Sequence, residues 1–292
     1  MGSGLTDGMT KTTHEKTTLV LGGTGKTGRR VAAGLTARGV PVRLGSRSAD
    51  PPFDWENEAT WEPALRSVGS VYVSYQPDLA VPGADDAIGS LTEIAVAGGV
   101  GRLVLLSGRG EEGAEVSEQL VQDSGTEWTI LRSTWFAQNF SEDYLLEPVL
   151  GGEVALPAGN VREPFVDVDD IAEIAVAALT EDGHLGQLYE LTGPRLLTFA
   201  DAVNEISKAT GREIGYVQVS PEEYAAVLKA HDVPADFVWL MNYLFTTVLD
   251  GRNAHLADGV QRALGREPRD FSDYARHTAA TGVWDVENTR SA

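Results

Sequence analysis

The chain contains no cysteine, which excludes disulfides, thiol nucleophiles and cysteine-bound metal. It has no window of about eighteen apolar residues, so no transmembrane helix is expected. The opening segment MGSGLTDGMTKTTHEK lacks an apolar signal-peptide core. Residues 1–16 are therefore expected to form a disordered leader, and a cytoplasmic location fits. Positive charge is scarce: 23 Lys and Arg stand against 43 Asp and Glu, a net charge of −20. A nucleic-acid backbone would be repelled, so the expected partner is a small molecule rather than nucleic acid or membrane. His14, His184, His231, His255 and His277 are scattered without ligand-like spacing, and no metal site is expected.

What the sequence does carry is concentrated in TTLVLGGTGKTGRR, residues 17–30. An aliphatic run from Thr18 to Leu21 leads into Gly22, Gly25 and Gly28, and helical spacing follows from Lys26 to Arg38. Strand, glycine turn and helix in this order build a pyrophosphate site, because glycines let the backbone approach the phosphates and the helix N-terminus faces them with partial positive charge. Thr24, Lys26 and Thr27 belong to the same turn. A P-loop is excluded, since it would need glycine where Val20 stands.

Strand signals at 18–21, 41–44, 70–74, 102–107 and 128–131 alternate with helical patterns at 26–38, 58–67, 84–98, 114–124 and 138–147. Such alternation predicts a Rossmann-type α/β fold, a doubly wound parallel sheet. We expect residues 17–150 to form the dinucleotide-binding core. Residues 151–292 should be mainly a smaller C-terminal α/β substrate lobe, with 165–192 returning to the core. In that second part Pro164–Val166 reads as a short strand, 171–179 as a helix capped by Asp167, Asp169 or Asp170, 187–191 as a strand, 199–210 as a helix capped by Thr198, and 221–250 as helical. Its aromatic residues, Trp239 and Tyr243 among them, fit either core packing or the wall of a flat apolar pocket. The helices near 237–249 could equally form a homo-oligomer interface.

After the second strand the chain continues Gly45-Ser46-Arg47-Ser48, with no carboxylate before Asp50. An acidic residue there would hold the ribose diol of NAD, whereas a cation with hydroxyl donors suits the 2′-phosphate of NADP. Ser46, Arg47 and Ser48 therefore favour NADP(H) over NAD(H). Phe53-Asp54-Trp55 is expected to close a third strand near the adenine. Tyr75-Gln76-Pro77 should approach the pyrophosphate or ribose, and Ser107-Gly108 should point toward the nicotinamide.

GGTGKTG, Ser107-Gly108 after LVLL, TEWTILRSTWFAQNF (126–140), PFVDVDDIA (164–172), LTGPRLLTFADAV (191–203) and LGREPRDFSDYARHTAATGVW (264–284) resemble the NmrA-like, atypical short-chain dehydrogenase/reductase family. Within it, GKTG, SRS, FDW and TWFAQNF look most like ergot-alkaloid reductases of the festuclavine/agroclavine dehydrogenase type, and NADPH:quinone oxidoreductases are similar too. The resemblance implies a Rossmann core, a smaller substrate lobe and NADPH as cofactor. It also exposes a departure. Typical short-chain dehydrogenases carry Tyr-x-x-x-Lys, whose tyrosine protonates the carbonyl oxygen. The matching helix here, Glu115-Val116-Ser117-Glu118-Gln119-Leu120, has neither residue. Ser107 stands where the catalytic serine would be.

Without that acid, an iminium or a quinone is the expected kind of acceptor, since both take hydride with little proton assistance. Ser107 and Glu118 are the catalytic candidates, Glu118 as a stabiliser of cationic charge or simply a salt-bridge partner. Trp135, Phe136 and Asn139 are expected in the substrate wall, with Trp239 and Tyr243. The expected function is that of a reductase in secondary metabolism. A non-catalytic, NAD(P)-binding redox sensor is the competing expectation, because the missing dyad suits it equally.

Overall fold

Short aliphatic and β-branched stretches form eight strands in the computed structural model, which describes residues 16–286. They are β1 (Thr17–Leu21), β2 (Val42–Gly45), β3 (Val68–Val73), β4 (Arg102–Gly108), β5 (Glu127–Ser133), β6 (Glu153–Leu156), β7 (Gln187–Leu191) and β8 (Gly215–Gln218). Six make one sheet in the order β2-β1-β3-β4-β5-β7, every pairing parallel. β6 and β8 form a separate parallel pair.

The alternation of side chains along each strand divides the core. Leu19, Leu21, Val71, Val73, Leu103, Leu105 and Ile130 pack on one face of the sheet. Val20, Tyr72, Val104, Leu131, Tyr189 and Leu191 pack on the other. Both faces are covered by helices, as a parallel sheet requires. A third core gathers Phe140, Phe165, Phe199, Phe245, Phe271 and Trp284 outside the sheet. Among the described residues no helix is long and apolar enough to cross a membrane.

The helices start where cap chemistry dictates. Asp167 accepts from the Asp169 N–H at the start of Val168–Thr180. Thr198 and Asp201 form a reciprocal capping box at the start of Phe199–Thr210, which ends at left-handed Gly211. Residues 221–250 divide into helices Pro221–Ala230 and Ala235–Tyr243 and a π turn Leu244–Val248, with Pro234 at the break.

Four expectations fail locally. Phe53-Asp54-Trp55 is not a strand: it follows Pro51-Pro52, which cannot donate to a ladder. Instead it closes back on itself, with the Trp61 indole donating to the Asp54 carbonyl at 2.7 Å. The helix expected over 138–147 is interrupted, giving Asn139–Glu142 and Leu146–Gly151 with Asp143 extended between them. Pro148 has no N–H to offer the Tyr144 carbonyl four residues back. The helix expected over 58–67 is shorter, a 3-10 turn followed by Trp61–Leu65. Val166 makes only an isolated bridge to Phe136. Of the leader expected over 1–16, residues 1–15 lie outside the described residues.

Candidate functional site

The strand order reverses direction of growth at β1, with β2 on one side and β3 on the other. In an open parallel sheet ligands bind beyond the carboxyl ends at such a point. A cavity of about 460 Å³ lies there, within the range of small-molecule and cofactor sites. The segments that follow β1, β3, β4 and β5 all contribute to it.

After β1 the chain turns through Gly22, at φ +64°, and the Gly25 N–H bonds the Gly22 carbonyl at 2.8 Å. Gly28 packs so tightly on this turn that a Cβ there would fall 2.1 Å from the Gly22 oxygen. The helix Lys26–Ala37 begins at Gly25 with no side-chain cap and no acidic residue in its first turn. Its N-terminal N–H groups and dipole are thus left for an anion. Thr24, Gly25, Lys26 and Thr27 line the cavity.

Tyr75 and Gln76 line it after β3, and Trp55 reaches the Tyr75 ring at 4.8 Å between centroids. Asp54 does not line the cavity: its Oδ1 accepts the Glu56 N–H at 3.2 Å, and its backbone bonds the Thr60 and Trp61 side chains. Ser46, Arg47 and Ser48 form the turn after β2, with the two serine hydroxyls 3.3 Å apart. Arg47 is exposed, and no hydrogen bond or ion pair among the described residues engages it.

Ser107 and Gly108 line the cavity after β4. The Ser107 hydroxyl donates to Glu118 Oε1 at 2.6 Å, and the Arg132 Nε donates to the same oxygen at 2.9 Å while its terminal nitrogen binds Oε2. Glu118 is only 1% exposed and does not line the cavity, because both oxygens are used by these partners. Its place was legible as spacing: Ala114, Ser117, Glu118 and Val121 form the buried stripe of helix Glu112–Gln122. Bonding and charge from Glu118 raise the Arg132 pKa against the opposing effect of burial. With its proton directed to Glu118, Ser107 presents lone pairs to the cavity.

Trp135, Phe136 and Asn139 line the far wall after β5. Trp135 is fixed against Phe199 and Phe245, with centroids 5.2 and 5.1 Å away. Asn139 Oδ1 accepts from Lys26 Nζ at 2.9 Å, and Lys26 also pairs with Asp143. Arg30 reaches Glu142 at 2.7 Å and Asp169 at 2.6 Å, and Arg29 pairs with Glu142. Burial pushes the Glu142 carboxyl up, but Arg30 and Arg29 outweigh it and hold it below the usual range. These pairs tie the glycine-loop helix to the segment after β5 and to Asp169.

Trp239 and Tyr243 do not line the cavity. Phe237, Leu240, Met241, Leu244 and Val248 do, and this helical phase carries residues 239 and 243 to another face. There they stack on each other, with centroids 5.5 Å apart and planes 4° from parallel, and Trp239 is 43% exposed. Asp78, Arg109, Glu111 and Tyr144 line the cavity without having been expected. Asp78, Arg109 and Glu111 follow β3 and β4 within a few residues, so the rule that ligands meet strand carboxyl ends could have found them.

Fold and cavity together define a protein of the Rossmann class with a cavity at the switch point of its sheet. No family model matches the chain. It is 33% identical to an uncharacterized oxidoreductase of Bacillus subtilis (strain 168), the match covering 91% of this chain and 97% of the relative. It is 32% identical to festuclavine synthase II of Penicillium roqueforti, covering 89% and 98%. The NADPH-dependent quinone oxidoreductase of Escherichia coli, complexed with NADPH, superposes with a TM-score of 0.74 at 21% identity, covering 89% and 99%; at that identity the likeness shows the fold. The chain belongs to the NmrA-like, atypical short-chain dehydrogenase/reductase family and is an NAD(P)H-dependent oxidoreductase.

Proposed function

We propose that this oxidoreductase uses NADPH to reduce an imine, iminium or quinone-type small molecule, in a secondary-metabolic setting. The observation that carries the reading is one continuous cavity. It joins an uncapped helix N-terminus and glycine turn at one end to an aromatic wall, Trp135 and Phe136, at the other. The residues fit a dinucleotide: Gly28 lets the helix close on the glycine turn, where a Cβ would meet the Gly22 oxygen, and the first turn of the helix carries no acidic group to repel a pyrophosphate. When bound, the cofactor supplies hydride from its dihydronicotinamide ring.

The chain's part is to position. Gly22–Gly28 would hold the pyrophosphate, with Lys26 able to exchange Asp143 for phosphate. Arg47, exposed in its turn, would take the 2′-phosphate with Ser46 and Ser48. Tyr75 and Gln76 would border the ribose and pyrophosphate. Ser107 and Gly108 would border the nicotinamide, Ser107 being held by Glu118 as a positioning residue. Trp135 and Phe136 would exclude water and align the acceptor, which is worth several kcal/mol of barrier in such sites.

The festuclavine synthase relationship supports a small-molecule acceptor of secondary metabolism, and the quinone oxidoreductase likeness supports no more than a shared fold. The test is NADPH oxidation with a panel of cyclic imines, iminium salts and quinones. Turnover with at least one class is expected. Tight NADPH binding without turnover on any of them would overturn the reductase reading and favour a redox sensor.

A further inference from the structure

Two carboxyl groups enter the cavity from adjacent strand ends and hydrogen-bond each other: Asp78 after β3 and Glu111 after β4. Two carboxylates cannot hydrogen-bond unless one keeps a proton. The surroundings identify which one. Asp78 Oδ1 accepts the Ala80 N–H at 2.8 Å, a bond that favours the ionised form. Glu111 is 7% exposed, and its Oε2 is buried without meeting any donor. A charged Glu111 would therefore be desolvated beside a second negative group. Protonated, it donates to Asp78 and the pair carries one net charge.

The position of this proton matters. The Glu111 carboxyl lies against Gly108, where a Cβ would fall 2.1–2.2 Å from its carbon and oxygens. Only glycine leaves room for the acid at the end of β4, beside Ser107. The Ser107 hydroxyl is directed to Glu118 and the helix has no Tyr-x-x-x-Lys pair, so neither offers a proton. We propose that Glu111, backed by Asp78, is the general acid of this site and protonates the heteroatom of a neutral C=O or C=N acceptor. The inference rests on the reductase reading and narrows it, since a preformed iminium needs no such acid.

The step balances as follows. The acceptor carbon gains a hydride, with its electron pair, from the reduced nicotinamide. The π pair of C=X (X is O or N) moves to X, and X takes the Glu111 proton. Reduced acceptor, oxidised nicotinamide and the Glu111 carboxylate remain, and water entering the cavity reprotonates Glu111. Burial raises the Glu111 carboxyl well above its ordinary range, with the Asp78 and Glu118 charges adding to it. Tyr243, from helix Ala235–Tyr243, also feels the Glu111 charge. Arg109, the nearest cation in sequence, is engaged by the His255 and Asn253 carbonyls and by Glu190.

The first test uses the protein alone. Infrared titration of the full chain should show a protonated-carboxyl C=O band persisting above about pH 8, where Glu163 is ionised, and lost in Glu111→Gln. No such band, or one unchanged in the variant, would overturn the proposal. The second test compares kinetics on a quinone, a neutral cyclic imine and an iminium salt. On the neutral cyclic imine Glu111→Gln should lower kcat about 100-fold or more, with NADPH binding close to wild type, and on the quinone, which gives a stabilised phenolate, by less. On the iminium salt the loss should be small. Asp78→Asn should move the alkaline limb of the kcat profile to lower pH, because the charge raising Glu111 is gone. Equal losses on all three acceptors, or an unmoved limb in Asp78→Asn, would overturn the proposal. Failure of the wild type to oxidise NADPH with any acceptor would instead sink the reductase reading.

Discussion

Ser107 and Glu118 are joined by a 2.6 Å hydrogen bond behind the cavity wall, and Arg132 closes the group from the neighbouring strand. A serine at the catalytic position is thus oriented by a buried ion pair rather than by a tyrosine and lysine. Removing one partner of such a pair strands the other. We expect Glu118→Ala to cost about 3 kcal/mol in urea unfolding, at the low end for a broken buried pair because Arg132 keeps the more distant Glu190 at 3.5 Å and Glu115 at 3.7 Å. Ser107→Ala should cost about 1.5–3 kcal/mol. Equal, small effects would mean that Glu118 is not the anchor of the group.

Gly28 sets the glycine turn against its helix. A Cβ there meets the Gly22 oxygen at 2.1 Å, and neither backbone segment can yield without opening the anion cradle. Gly28→Ala should weaken NADPH binding at least about tenfold, a loss of about 1.4 kcal/mol. Gly151→Ala, at a helix end where a Cβ meets nothing within 4 Å, should leave binding unchanged. Calorimetric titration of both variants separates the two.

Arg47 stands exposed in the turn after β2, without a partner among the described residues. Arg47→Asp should weaken NADPH binding and strengthen NADH binding, as repulsion replaces attraction at the 2′-phosphate. Unchanged NADPH affinity would remove Arg47 from the cofactor site.

Glu163 is fully buried, bonded by the Thr134 hydroxyl at 2.8 Å, with Oε1 left without a donor. Burial pushes its carboxyl up to about 7, against the bond from Thr134 and the Arg109 charge. A raised folded-state value means that the native protein binds the proton more tightly than the unfolded chain. The stabilisation is present below about 4.5 and is lost as pH rises to about 7, at roughly 1.4 kcal/mol per pH unit within that window. Glu163→Gln should remove this slope. Thermal unfolding of both proteins between pH 5 and 8 checks it: their difference should change up to about pH 7 and flatten above.

Much of the fold was legible because local chemistry agreed with it. β7 and helix Phe199–Thr210 lie at the expected residues, 187–191 and 199–210, and the three-glycine turn lies at the switch point of the sheet. Where local pattern and tertiary demand parted, the reading failed. Phe53–Trp55 has β-forming aromatics, yet two prolines and the packing of Phe53 and Trp55 on Trp61 make it a turn. Trp239 and Tyr243 are the bulky residues of their helix, but the phase of residues 237, 240, 241 and 244 decides what faces the cavity. Asp78 and Glu111 lie far apart in sequence, and only the adjacency of β3 and β4 brings their carboxyls together.

The most direct measurement is titration of the purified protein with NADPH and with NADH, followed by tryptophan quenching and energy transfer to the nicotinamide. Trp55 and Trp135 stand near the two ends of the cavity as built-in reporters. Tight NADPH binding with clearly weaker NADH binding is expected. Binding of neither would contradict the dinucleotide site on which the account stands.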